Sequence, residues 1–559
     1  MTGRPRDAES SGPRAIVAVD SDSDARACIQ AELTRRYGSD FQIVCRERRD
    51  DTELELTRLR DAGVSVALVL AASPGGAELL SEAARLHPDS KRALLVEFGA
   101  WGDPEIASEI RSAIASGCAD YYVLKPSRHA DALFHRSVSE FLHEHSRANP
   151  SAEPREFVVI APRWSPRGHE IRRLLAGNGI PHVFYEAGSP GARRLLDERD
   201  LIAHEEPVVI TVRGDVLVDP TDAELARNYG VTTALEGRSE FDLVVVGAGP
   251  AGLAAAISAA AEGLSVLVVE CAGIGGQASS SSRIRNYPGF SRGVSGAELA
   301  QRAYQQAWAF GVEFLHMREV TGLREEGGRY VVEVPNEPDI TAAAVVLAVG
   351  VAYRRSEIPG IEALLGRGVY YGASVSEAGS VAGGDVFVIG GGNSAGQAAL
   401  HLARSAAHVT LTTRRSSLAD TMSQYLRDEI AGVENITVRT GCSIVDGGGD
   451  QHLEWIEVCG DDGTTQRVGA DAVFLFIGGV PRTQWLPSTI ARDDAGYVLT
   501  GNDAATLFET SLPGVFAVGD VRAHSVKRVA SAVGEGSIVV PYVLARVAAV
   551  AAARSRVDS

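Results

Sequence analysis

Two stretches, "LVVVGAGPAGLAAAISAAAEGLSVLVVE" (243–270) and "VFVIGGGNSAGQAALHLARSAAHVTLTTRR" (386–415), have the same grammar. Each reads as an apolar strand, a glycine turn, an Ala-rich helix and a second apolar strand. This order makes the strands parallel and points a helix N-terminus at whatever lies beyond the strand ends, the arrangement that binds the phosphates of a dinucleotide. A chain that carries it twice must build two doubly wound α/β domains. In the first, Gly247 permits the tight turn, Gly249 lets backbone approach a pyrophosphate, and Gly252 allows close helix–strand packing. Glu270 closes the second strand, where an acid accepts hydrogen bonds from adenosine ribose hydroxyls. In the second, Gly390 and Gly392 make the turn, Asn393 and Ser394 open the helix, and Ala395 is the third small residue. Its second strand ends at Thr413-Arg414-Arg415, with no acid. Arginines there attract a 2′-phosphate, which favours NADPH over NADH, although two arginines at a strand end also occur as a solvated surface pair.

The remaining length needs more than these two domains, because 559 residues exceed what one core supports. The formal charge of −18 argues against nucleic-acid and anionic-membrane partners. We find no unbroken apolar run of 18 residues, hence expect no membrane span, and the polar start (1–13) reads as a disordered tail without a secretory signal. The six cysteines, Cys28, Cys45, Cys118, Cys271, Cys442 and Cys459, include no CxxC pair. That usage fits a reducing, cytoplasmic setting and excludes a disulfide framework or zinc site.

Residues 14–146 alternate five short apolar runs with helical patterns, which predicts a flavodoxin-like doubly wound domain. "VDSD" and "LKP" give it a resemblance to the receiver domain of response regulators. The resemblance implies an acidic pair after strand one, a phospho-accepting Asp after strand three and a hydroxyl after strand four. Here Asp20 and Asp22 flank Ser21, Ala72 occupies the acceptor position and Val96 the hydroxyl position, so this is a pseudo-receiver. Asp20 and Lys125 are expected to remain as a solvated pair. A Pro-containing polar linker follows. Residues 156–235 then resemble a small thioredoxin or glutaredoxin fold. Its redox CxxC would lie at the first helix N-terminus, where this chain has Ser165-Pro166-Arg167-Gly168, and Pro207 stands at the family's cis-proline. Without thiols the module is expected to dock or space rather than exchange electrons.

The C-terminal half resembles low-molecular-weight thioredoxin reductases. "VFAVGDV" with the helix after "VKRVAS" matches their second FAD motif. The resemblance places Gly519 and Asp520 at the ribityl chain, and Arg528 and Val529 at the flavin pyrimidine. "GIGGQASSSSRIRNYPGF" places Gly276, Gln277 and Asn286 along the isoalloxazine. Arg285 departs from a family position that often holds Glu. The whole chain resembles the fused response regulator/thioredoxin reductase type, with FAD in 238–352 and 480–555, NADPH in 353–479, a homodimer, and a large rotation between the two nucleotide domains. In "YYGASVSEAGS" the two redox sulfur positions fall on Ala373 and Ser376, and the acid that protonates the leaving thiolate falls on Glu377. Ser376 and Glu377 then either act beside the flavin edge or are ordinary helix-entry residues.

The fold class is therefore α/β: two Rossmann-like domains of thioredoxin reductase type, preceded by a flavodoxin-like pseudo-receiver and a thioredoxin-like domain. Two functions fit. One is an NADPH oxidoreductase whose FAD serves an external acceptor: oxygen, a quinone, a small redox protein or an external disulfide. The other is a redox-responsive regulatory flavoprotein whose N-terminal domains hold a signalling partner.

Overall fold

The computed structural model describes residues 14–38, 40–97, 100, 103–126, 134–135, 137–139, 141–142, 145, 157–178, 180, 182–199, 201, 206–211, 214–229, 233–235, 237–290, 293–372, 381–501 and 506–557. The chain divides into two compact units, Met1–Pro154 and Arg155–Ser559.

In the first unit the five apolar runs become β1 (Arg14–Val19), β2 (Gln42–Arg46), β3 (Ser65–Ala72), β4 (Lys91–Val96) and β5 (Tyr121–Leu124), paired in parallel in the order β2-β1-β3-β4-β5. Helices α1 (Ser23–Tyr37), α2 (Arg49–Asp61), α3 (Gly76–Leu86) and α4 (Pro104–Ala115) alternate with them. Both sheet faces are covered, so Ile16, Leu68 and Leu70 enter one core and Val17, Val69 and Leu94 another. Asp22 caps α1 by accepting from the Asp24 and Ala25 amides. Asp20 and Lys125 are not solvated as the sequence suggested. They are 2% and 9% exposed and pair at 2.8 Å, with Glu97 3.1 Å from the same ammonium. Burial works to lower the Lys125 pKa; the hydrogen bonds to Asp20 and Glu97 overcome it and raise it. A charge that deep in a parallel sheet persists only when paired.

The second unit begins with a four-stranded mixed sheet. Its strands are β6 (Phe157–Ala161), β7 (His182–Glu186), β8 (Val208–Thr211) and β9 (Val216–Val218), in the order β7-β6-β8-β9. Around them lie α5 (Pro166–Gly177), α6 (Pro190–Asp197) and α7 (Asp222–Tyr229). Ser165 is the N-cap of α5, its hydroxyl accepting from the Gly168 amide at 3.0 Å, with Pro166 in the first turn. The bond before Pro207 is trans, against the resemblance; among the described residues the cis bond is Ser73–Pro74. Trans is the preferred state of an X–Pro bond that packing does not force otherwise.

A seven-stranded sheet follows, six of its strands in the order β12-β11-β10-β15-β14-β13: β10 (Glu240–Val246), β11 (Val266–Glu270), β12 (Glu313–His316), β13 (Gly322–Glu326), β14 (Arg329–Glu333) and β15 (Ile340–Leu347). Helices α8 (Pro250–Ala261) and α9 (Gly296–Ala309) pack on it. The chain leaves through β16 (Val351–Tyr353) and the short α10 (Pro359–Glu362). It then forms a second parallel sheet, β17-β24-β18-β19-β20, from β17 (Val369–Tyr371), β18 (Asp385–Ile389), β19 (His408–Thr412), β20 (Ile436–Arg439) and β24 (Ala472–Leu475). Helices α11 (Asn393–Leu402) and α12 (Gln424–Ala431) cover it, and β21 (Cys442–Gly448), β22 (Trp455–Gly460) and β23 (Thr465–Gly469) form an antiparallel meander. The chain returns through β25 (Gly479–Pro481), antiparallel to β16. Last, β26 (Val515–Ala517) joins β15 as the seventh strand of the sheet built on β10, followed by α13 (Val529–Ile538) and α14 (Val540–Val557).

The last two helices overturn the expectation that no stretch is apolar and long enough to cross a bilayer. By length and composition Val529–Arg554 is: the helix has 26 residues, and its most apolar stretch has a mean hydropathy of 1.8. Glu535 and Arg546 interrupt the run, so no unbroken apolar stretch of that length exists in the sequence. Packing accounts for part of this character: Val539, Val540 and Val543 are buried in the core of the first sheet with α8.

Burial holds three histidines of this unit neutral. His169 is lowered to about 3 by burial and then by Arg172 and Arg173, His316 to about 4 by burial, and His401 to about 4 by burial and then Arg404. Unfolded, each titrates near 6.5. Between those values the unfolded chain binds more protons, so stability falls as pH drops. Thermal melts of the full chain should shift steadily downward from pH 6.5 to 4.5, and His316→Gln should flatten that slope.

Candidate dinucleotide sites

The first site forms where β10 ends. Gly247 has φ +105°, and a Cβ on it would stand 2.5 Å from the Ala348 carbonyl oxygen. A Cβ at Gly252 would stand 1.9 Å from the Gly247 oxygen, so only glycine lets α8 start this close to the strand. Gly249, the N-cap of α8, is extended and has open space where a side chain would project. Glu270 ends β11 and is 8% exposed. Its carboxylate accepts from the Ala248 and Ala272 amides at 2.7 Å and from Gly273 at 3.2 Å. Three of roughly four lone-pair positions are thus taken by backbone, which fixes the group and leaves capacity for one further donor.

The Gly276–Ser280 turn lies against this site, with the Gly276 Cβ position 3.4 Å from the Gly249 Cα. Gln277 donates to the Val351 carbonyl at 2.6 Å, and Asn286 is exposed. From the far end of the chain, Gly519 (φ +74°) comes within 2.9 Å, by its Cβ position, of the Ala251 side chain. Asp520 follows it; burial and then Glu535 raise its pKa, with Lys527 opposing. Arg528 caps α13 and Val529 begins it. The two halves of the motif therefore meet at the first turn of α8. Sequence reading missed two residues here. Lys527 donates to the Asp520 carbonyl at 2.9 Å and sits 4.3 Å over the Tyr497 ring. Glu535 accepts from the Gly519 amide at 2.7 Å and pairs with Arg522 at 2.6 Å. A cation immediately before a helix N-terminus and an acid on that helix were the available signals.

The second site has the same construction. Gly390 turns the chain, extended Gly392 caps α11 with open space at its Cβ position, and Ala395 is fully buried. Asn393 is turned inward, its Oδ1 accepting from the Ser423 amide at 2.8 Å, while Ser394 is exposed. Ile389 is in register with Thr412, so Arg414 and Arg415 follow directly beside the glycine turn. Both are exposed, and neither guanidinium has an acceptor among the described residues. These are the features a 2′-phosphate site needs.

Ala373, Ser376 and Glu377 lie outside the described residues, which stop at Gly372 after β17. All six cysteines are free thiols. Cys442 and Cys459 sit on paired strands, but Cys442 faces Gly460 and Cys459 faces Ser443, so alternation puts them on opposite faces. The thiol of Cys271, on an exposed residue, is pushed up to about 11 by desolvation from the chain packed around it and then by Glu270. Arg285, the unusual residue before Asn286, pairs at 3.0 Å with Glu429 on α12.

Residues 241–536, more than half the chain, match the model of the pyridine nucleotide-disulphide oxidoreductases. The chain belongs to that family. It is similar to thioredoxin reductase of Treponema pallidum (34% identity, 54% of this chain and 95% of the relative) and of Bacillus subtilis (32%, 53% and 92%). Among solved structures it resembles the thioredoxin reductases of T. acidophilum (27% identity, TM-score 0.52) and Lactococcus lactis (28%, 0.52), each covering 55% of this chain and 99% of the other. These oxidoreductases use FAD and NADPH. The two open helix N-termini, one backed by an acid and one by arginines, fit that pair in order. Charge-assisted hydrogen bonds contribute about 1.5–3 kcal/mol each. Replacing Arg414 and Arg415 with Ala should therefore weaken NADPH binding at least about tenfold and leave NADH nearly unchanged, as measured by fluorescence titration.

Proposed function

We propose that the chain is an NADPH-dependent flavin oxidoreductase that delivers electrons to an external acceptor and not through an internal dithiol. The observation that carries this reading is the pair Ala373 and Ser376 at the two sulfur positions, together with six cysteines that are all free thiols. When bound, FAD supplies two-electron redox chemistry and NADPH supplies the hydride. The protein's own residues bind and orient. The N-termini of α8 and α11 face the pyrophosphates, Gly249 and Gly392 clear the approach, and Glu270 takes a ribose hydroxyl. Arg414 and Arg415 hold the 2′-phosphate. Asp520, Arg528 and Val529 line the ribityl and pyrimidine end, where Lys527 adds positive charge beside Asp520. Gly276, Gln277 and Asn286 border the isoalloxazine. By motif spacing, Ser376 and Glu377 hold the positions of the family's second sulfur and of its acid.

The acceptor is oxygen, a quinone, a small redox protein or an external disulfide, reached from a cytoplasmic homodimer. A second reading has its own support. The receiver-like domain has Ala72 in place of a phospho-acceptor, and the thioredoxin-like domain has Ser165-Pro166-Arg167-Gly168 in place of CxxC. Two domains without chemistry favour a regulatory flavoprotein that docks a signalling partner. Steady NADPH consumption with an acceptor supports the first reading; a single reduction without turnover supports the second.

Anaerobic dithionite titration tests the missing relay. The protein should take up two electrons per FAD, develop no long-wavelength thiolate–flavin absorbance, and keep its turnover after alkylation of all accessible cysteines. Uptake of four electrons per FAD would show that a disulfide takes part.

A further inference from the structure

The two nucleotide-binding cores are joined by one antiparallel ribbon, β16 with β25, in which Val351 faces Pro481 and Tyr353 faces Gly479. A pair of strands resists twisting weakly, so the cores are free to turn against each other unless contacts outside the ribbon tie them. Such contacts exist, and among the described residues four come from one helix of the 156–235 module and the residues flanking it. At the N-terminal end of α5, the Trp164 ring stacks on His452 of the second core, centroids 4.9 Å apart and planes within 1°. His169 lies 4.8 Å from the Tyr370 ring on β17. Pro166 fits so closely against Gly366 that a Cβ there would stand 2.9 Å from the Pro166 Cα. At the C-terminal end, Asn178 accepts from the Ile274 amide of the first core at 3.1 Å, and its Nδ2 lies 2.9 Å from the Gly273 Cβ position. Between these ends runs a rigid strut about 18 Å long. Independently, Arg285 of the first core pairs with Glu429 of the second.

We propose that the 156–235 module is a built-in clamp. Helix α5 is fastened at one end to the NADPH core and at the other to the FAD core, and with the Arg285–Glu429 pair it holds the two in a single relative orientation. The helix N-terminus that lacks thiols is then a contact surface, seated on the strand that leads into residues 373–380. This inference concerns domain geometry and does not depend on which acceptor is used or on how many electrons the protein stores.

Spin labels introduced at Glu325 (first core) and Val445 (second core) of the full chain report the inter-core distance by pulsed electron resonance. The otherwise unaltered protein should give one narrow distance, with any second orientation at or below about 10% and no change on adding NADP+. Trp164→Ala, and separately His452→Ala, which removes the same stack from the other side without touching the module, should each populate a second distance. Arg285→Glu should do the same, and Arg285→Glu with Glu429→Arg should restore the single distance. Two distances in the unaltered protein would overturn the clamp, as would one unchanged distance in all the variants, or a charge swap that fails to restore.

Discussion

The carbonyl oxygen of Gly247 lies where a side chain on residue 252 would have to go. That single steric exclusion sets the distance from β10 to α8, and through it the position of everything that surrounds the helix N-terminus. Glu270 is held by the amides of the same turn, Gly519 arrives against Ala251, and α13 packs so closely on α8 that a Cβ at Gly536 would stand 2.2 Å from the Ala251 oxygen. The anion-facing end of α8 is therefore a junction of three chain segments distant in sequence. The second core repeats the plan with Gly390 and Gly392, but surrounds it with arginines where the first has an acid.

Charge placement follows the same economy. The Asp20–Lys125 pair sits at the strand ends of the first unit, where each partner compensates the other's burial. Arg285 and Glu429 join the two cores directly, in addition to the ribbon and to helix α5. Glu535 ties Arg522 to the Gly519 amide and keeps the Gly519-Asp520 turn in place. The Arg285–Glu429 pair, being partly exposed, fixes a position more than it adds stability, since such pairs contribute only about 0–1 kcal/mol.

What was legible in the sequence was local. Strand, glycine turn, helix and strand occur within thirty or so consecutive residues, so Gly247, Glu270, Gly390 and Arg414 could be placed from spacing alone. The start of α5 was legible for the same reason, as Ser-Pro is a helix-opening signal. Contacts between segments far apart were not. Nothing near Trp164 announces His452, and nothing near Arg285 announces Glu429. Asp20 and Lys125 looked solvated because charged residues usually are; only the parallel sheet around them shows otherwise. The apolar character of the helices after Val529 was not legible as a run because Glu535 and Arg546 interrupt it, although the mean hydropathy of the stretch is that of a membrane span.

Ser165 carries a consequence for any attempt to put a thiol into this module. Its hydroxyl accepts from the Gly168 amide and so already uses one of the first amides of α5. Losing such a cap costs a helix about 1 kcal/mol. A cysteine placed at 165 would therefore loosen the very helix end it was meant to occupy, and the amide that could steady its thiolate is one the fold already spends on itself.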